Sequence, residues 1–86
     1  MNEVKEMTLV GFYNFSSKDK TTKYFVFQAL FNIVDVSSNS IKSNIVNIFV
    51  DEKIYKNVTN KDIGKVLNVN IKADLVSGKV FYSLAD

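Results

Sequence analysis

KVLNVNIKAD, residues 65 to 74, alternates Leu67, Val69, Ile71 and Ala73 with Asn68, Asn70, Lys72 and Asp74. A period of two sends the first set to one face and the second to the other, as in a strand with a core on one side and water on the other. Downstream, Val76-Ser77-Gly78 forms a turn. Lys79 to Leu84 then returns as a second strand, with Val80, Tyr82 and Leu84 inward and Lys79 and Phe81 outward. Upstream, Asn44 to Asp51 (NIVNIFVD) alternates in the same way, placing Val46, Ile48 and Val50 in the core and Ile45, Asn47 and Phe49 on the other face. Between these strands, TNKDIG at 59 to 64 sets Thr59 three residues before Asp62, a variant of the capping box, with Gly64 as a stop. One helical turn at most fits there.

The N-terminal half continues the pattern. Val4 to Phe15 is rich in β-branched and aromatic residues, and Gly11 stands where a long strand would bulge or bend. SSKDKTTK at 16 to 23 is a polar loop leading into Tyr24 to Val36 (YFVFQALFNIVDV), so the first two strands form a long hairpin; SSNSIKS at 37 to 43 is a second loop. In the second strand Phe25 and Phe27 share one face and Tyr24 and Val26 the other, so alternation leaves the inner face undecided. Such a strand is covered on both sides, by a barrel, a partner subunit or a ligand. Five strands, one short helical turn between the third and fourth, and a closing hairpin make the order of an all-β, five-stranded OB-fold Greek-key barrel. SH3-like barrels also have five short strands. No linker, repeat or proline divides residues 1–86, which read as one domain.

Composition narrows the chemistry. A chain of 86 residues buries only ~60–65% of its unfolded surface, and it has neither cysteine nor histidine for a disulfide, a zinc site or a metal centre. No metal, no cofactor and no enzymatic activity are expected. The carboxylates fall at strand ends and turns, Asp51 and Glu52 would point to opposite faces of a strand, and Gly11, Gly64 and Gly78 form no phosphate-cradling loop. Hydrophobic content of 47% supplies a core and leaves apolar surface over, which a small β domain commonly hides in a homodimer. With no secretory start and no apolar run of about 18 residues, a cytoplasmic location without membrane contact is expected.

Eleven aromatic residues, seven Phe and four Tyr, are interleaved with lysine, and no arginine is present. Flat apolar rings stack on the bases of single strands, and nearby cations meet the phosphates. Aromatics in a small β domain are also ordinary core, the assignment preferred for Phe31 and Tyr82. Phe49 and Phe81 fall opposite the aliphatic sets of their strands, and Lys18, Lys20 and Lys23 cluster beside the aromatic second strand with the hydroxyls of Thr21 and Thr22. A charged loop of that kind is equally at home simply solvated.

In spacing and order, KYFVFQALFNIVD at 23 to 35, NIVNIFVD at 44 to 51 and IGKVLNVNIKADLVSGKVFYSL at 63 to 84 resemble the small single-stranded DNA-binding proteins of filamentous phages, the gene V type, and similar OB-fold proteins of phages and conjugative elements. The resemblance implies an OB-fold homodimer that coats single-stranded DNA with little sequence preference during replication or transfer of a phage or mobile element. It also puts Phe25 and Phe27 where family members contact bases. Asn47 stands where the family has a lysine, and Leu75 lies near the hairpin tip where it has a stacking phenylalanine, a role left to Phe81. The expected stacking set is Tyr24, Phe25, Phe27, Phe49 and Phe81. Lys18, Lys20, Lys23 and Lys79 would meet phosphates as point charges rather than arginine forks. The strand could be DNA or RNA. Two rivals use the same rings: a protein adaptor or inhibitor anchored by Phe25, Phe27, Phe49 and Phe81, and a structural homo-oligomer.

Overall fold

A computed structural model describes residues 2–85. Its strands are β1 (Asn2–Ser16), β2 (Lys23–Asp35), β3 (Ser40–Val50), β4 (Val66–Ala73) and β5 (Val80–Leu84); a short helix α1 (Glu52–Lys56) and a 3-10 turn (Asn60–Asp62) join β3 to β4. They form one antiparallel sheet in the order β3-β2-β1-β4-β5. The sheet curls into a half-barrel, bringing its two edge strands, β3 and β5, into contact. Among the described residues no helix is long and apolar enough to cross a membrane.

β1 spans the sheet and changes partners along its length. Thr8 to Ser16 pair with β2 and Asn2 to Thr8 with β4. Leu9 pairs with Ala29 and Gly11 with Gln28, so Val10 has no partner and the strand carries a β-bulge. A bulge adds one residue on one side of a ladder, and because side chains alternate, every later residue changes face. Met7 and Leu9 therefore point inward ahead of the bulge, at 2% and 1% exposure. Beyond it Phe12 lies opposite Phe27 on the inner side, while Tyr13 and Phe15 turn outward. Gly11 suits its place because a Cβ there would lie 2.5 Å from Gln28 Oε1.

The core contains Met7, Leu9, Phe27, Ala29, Ile48 and Val69, with Phe31, Val46, Leu67, Ile71, Tyr82 and Leu84 packed around them. The alternation expected for β3, β4 and β5 matches this arrangement except at Val80, which is 46% exposed because it opens the last hairpin. The undecided face of β2 resolves with Phe25 and Phe27 inside and Tyr24 outside.

Two short helical pieces cap the barrel mouth. The 3-10 turn is the one expected from TNKDIG: the Thr59 amide donates to Asp62 Oδ2 at 2.8 Å, and the Lys61 amide donates to Thr59 Oγ1 at 3.3 Å. α1 was not expected. Asp51 and Glu52, read as strand residues, instead begin this helix: Asp51 Oδ1 accepts from the Ile54 amide at 2.8 Å, and Glu52 pairs with Lys56 at 3.4 Å. The helix sets Tyr55 over the mouth, with ring centroids 5.0 Å from Phe25, 6.0 Å from Phe12 and 6.4 Å from Phe27.

Candidate nucleic-acid interface

On the outer face, Tyr13 of β1, Val26 of β2 and Phe49 of β3 form one row across the sheet, and Phe15 and Tyr24 pair in the next. The rings touch in sequence. Tyr13 and Phe15 lie 6.2 Å apart and Phe15 and Tyr24 5.1 Å apart, both close to parallel, and Phe49 meets Phe15 and Tyr24 edge-on at 6.5 and 6.1 Å. Val26, in the middle of this group, is fully buried, whereas the rings remain 39% (Tyr13), 42% (Phe15), 39% (Tyr24) and 58% (Phe49) exposed. Four adjoining half-exposed aromatics make a flat apolar surface of the sort that marks an interaction site.

The loop Ser17–Thr22 rises directly from the Phe15–Tyr24 pair. Its backbone closes through the Ser17 amide on the Thr22 carbonyl at 2.8 Å and the Lys20 amide on the Ser17 carbonyl at 2.9 Å, with Lys20 at φ 60°. Asp19 organises it: Oδ1 accepts from Ser17 Oγ at 2.6 Å, from Thr21 Oγ1 at 2.7 Å and from the Thr21 amide at 3.1 Å. The Thr21 hydroxyl is thereby committed to Asp19 rather than free for a phosphate. Lys18 and Lys20 are exposed at the tip.

These hydrogen bonds favour the ionised carboxylate, so Asp19 is held at about 2 against an ordinary 3.8, chiefly by the Ser17 hydroxyl and then by Thr21. Three further turn aspartates are lowered for the same kind of reason: Asp35 mainly by Ser37, Asp62 mainly by Lys65 and then the Thr59 amide, and Asp74 mainly by Ser77. A carboxyl more acidic in the folded state leaves the unfolded chain binding more protons in between. Its stabilisation is complete above 3.8 and is lost as pH falls towards about 2. The melting temperature is thus expected to be flat above pH ~5 and to drop below pH ~4, with a smaller drop in Asp19→Asn. Thermal melts followed by circular dichroism from pH 2 to 7 check this.

The expected site residues divide. Tyr24 and Phe49 belong to the outer patch. Phe25 is half-buried on the inner side against Tyr55, and Lys23 follows it, its Nζ 5.8 Å from the Phe25 ring centroid. Phe27, at 4% exposure, is a core residue whose ring has no free face for a base. Phe81 is exposed on the last hairpin, where it pairs with Lys72, and Lys72 with Asn2 at the start of β1. Lys79 shares the Phe81 end. Tyr13 and Phe15 were missed, and Gly11 is the signal that could have found them, since the period of two must be recounted after a bulge.

No group of three or more potential metal-ligating side chains occurs among the described residues. A cavity of about 200 Å³ beneath α1 is walled by Leu9, Phe27, Ile54, Val58 and Leu67, and at its rim Lys65 Nζ meets Asp62 Oδ1 at 2.6 Å. No family model, no curated protein and no solved structure matches the chain.

Proposed function

We propose that this protein is an OB-fold domain that binds single-stranded nucleic acid, DNA in the first instance, without regard to sequence. Bases stack on Tyr13, Phe15, Tyr24 and Phe49, and Lys18 and Lys20 meet the phosphates. The observation that carries the proposal is the continuity of four exposed rings with a lysine loop built on the same two strands.

Stacking of a base on an aromatic side chain contributes ~1–3 kcal/mol and is indifferent to sequence, because every base has a π-face. The four rings themselves offer only the two tyrosine hydroxyls as polar groups, and Gln28 and Asn47 occupy the next row of the same face. The OB-fold assignment is supported by the strand order, by the contact between β3 and β5 and by the helix between β3 and β4. OB-folds take oligonucleotides on the strand 2–3 face and the first and last hairpin loops; the rings and lysines proposed here belong to the first two of these, and Lys79 and Phe81 to the last hairpin. The resemblance to phage and conjugative-element proteins supports a cytoplasmic role in coating DNA during replication or transfer.

The test is a fluorescence-anisotropy titration of labelled oligo-dT at ~50 and ~200 mM salt with a duplex control, where log K is expected to fall with log salt by about 0.7 for each phosphate met. Binding to the single strand in preference to the duplex, weakened by salt, is the expected result. No binding at low salt would overturn the proposal and leave the rings as anchors for a protein partner.

A further inference from the structure

Beside the aromatic patch the outer face carries two carboxamides that base stacking leaves unused. Tyr13, Val26 and Phe49 form one row across the sheet, and two residues further from the Ser17–Thr22 loop on each strand the next row is Gly11, Gln28 and Asn47. Side chains two apart on a strand share a face and stand about 7 Å from one another. Asn47 is thus the neighbour of Phe49 along β3. Gln28 reaches towards β1, with its Oε1 2.5 Å from the place a Cβ of Gly11 would take. The missing side chain at Gly11 opens the gap in which the Gln28 amide lies, next to Tyr13.

The fold makes no use of either amide. Asn14, Asn32 and Asn57 hydrogen-bond to the Tyr55 hydroxyl, the Ser43 hydroxyl and the Lys53 carbonyl, whereas among the described residues the Gln28 and Asn47 side chains have no hydrogen-bond partner. Asn47 is exposed and Gln28 half-buried, and no polar side-chain atom is shut away from water without a partner. A carboxamide holds a donor and an acceptor side by side, the complement of a base edge that has one of each.

The lysines decide which edge arrives there. Lys18 and Lys20 stand in the loop on the other side of the rings, beyond Phe15 and Tyr24. A nucleotide whose phosphate they hold lays its base over the rings and points it away from the loop, so the edge that comes nearest to Gln28 and Asn47 is the one furthest from the sugar. A purine extends further in that direction than a pyrimidine, by the width of its second ring. In adenine this edge carries the 6-amino donor between two acceptors, N1 and N7, and a carboxamide can pair with the amino group and the acceptor on either side. Guanine puts an acceptor, O6, in the same place beside the acceptor N7, so only its N1 side is matched.

We infer that Gln28 and Asn47 select adenine among the bases stacked on Tyr13 and Phe49. The rings take any base, and the row beside them holds adenine-rich strands most tightly. This selection rests on the stacking role proposed for the rings and adds to it a preference by base composition, without a sequence motif.

Anisotropy titrations at one low salt concentration compare three labelled single strands of equal length, in which cytosine alternates with adenine, with thymine, or with purine nucleoside, which is adenine without its 6-amino group. The adenine strand is expected to bind about ten-fold more tightly than either of the others, the discrimination given by one good carboxamide pair. The double variant Gln28→Met, Asn47→Leu keeps the size of both side chains and removes the amides. It is expected to bind all three strands alike, at the wild-type affinity for the thymine strand and with unchanged circular dichroism. Equal wild-type affinity for the adenine and thymine strands, equal affinity for adenine and purine, or an adenine preference that survives in the double variant would each overturn the selection and leave the stacking intact. Failure of the wild type to bind any of the three would remove stacking and selection together.

Discussion

Replacing both Phe15 and Phe49 with alanine is expected to weaken the complex with oligo-dT by about a hundred-fold or more, while the fold survives. Each lost base–ring contact removes ~1–3 kcal/mol, and every ~1.4 kcal/mol is tenfold in affinity. The two rings stand in different parts of the patch, Phe15 between Tyr13 and Tyr24 and Phe49 edge-on to both Phe15 and Tyr24, so the pair disrupts the whole platform. At 42% and 58% exposure neither ring belongs to the packed interior. The melting temperature should move by only a few degrees. Anisotropy titration of wild type and variant at one salt concentration measures the ratio, and a loss of less than threefold would remove base stacking from the role of these rings.

Phe27→Ala is expected to act on the other side of the sheet and in the other way. Phe27 is 4% exposed amid Met7, Leu9, Ala29, Ile48 and Val69, with Tyr55 above it. Truncating a buried phenylalanine costs ~3–5 kcal/mol from lost transfer energy and the cavity left behind. At roughly 0.05–0.15 kcal/mol per residue, a chain of 86 residues has about 4–13 kcal/mol in all, so the loss is a large share of it. The midpoint of urea unfolding should therefore fall steeply relative to wild type. Urea unfolding followed by circular dichroism gives the difference directly. Should Phe27→Ala retain wild-type stability yet lose binding to oligo-dT, the core position of this ring would be wrong. Truncation of one phenylalanine thus removes the fold and of another the ligand, although both come from the same aromatic hairpin.

That contrast marks where the sequence stops being sufficient. Val69 and Ile48 could be placed by counting alternate residues, because β3 and β4 each have one wet face. β2 has none. Its inner face is settled by Phe12, which arrives only through the bulge, and by Tyr55, which arrives only through α1. α1 itself is five residues long and follows β3 directly, so its apolar content resembles more strand. Its legible marks were local: Asp51 as a cap and the spacing of Glu52 and Lys56. Phe81 and Lys79 were rightly given to the outside of the last hairpin, yet alternation reports a face and not an end. The register shows that β5 joins the aromatic strands through β4 and β1 on one side, while the curl of the sheet brings it against β3 on the other. Tyr13 and Phe15 were hidden for a related reason, since no single period of two runs through β1.

The unpaired Val10 accordingly governs more than the bend of one strand. Were Val10 kept but paired, so that the bulge was lost, every later residue would change sides, with Phe12 going to solvent and Tyr13 and Phe15 driven into the interior; deletion of Val10 itself would instead leave a regular strand with Leu9 and Phe12 inward and Tyr13 and Phe15 outward. Substitutions within the patch can tune it ring by ring, but the patch as a whole depends on one residue outside it being held out of the ladder. In a lineage of such domains, a relative lacking the bulged residue would keep the aromatic face on an unbroken first strand. A one-residue gap at position 10 in a comparison of relatives would then still pair surface positions with surface positions and core with core.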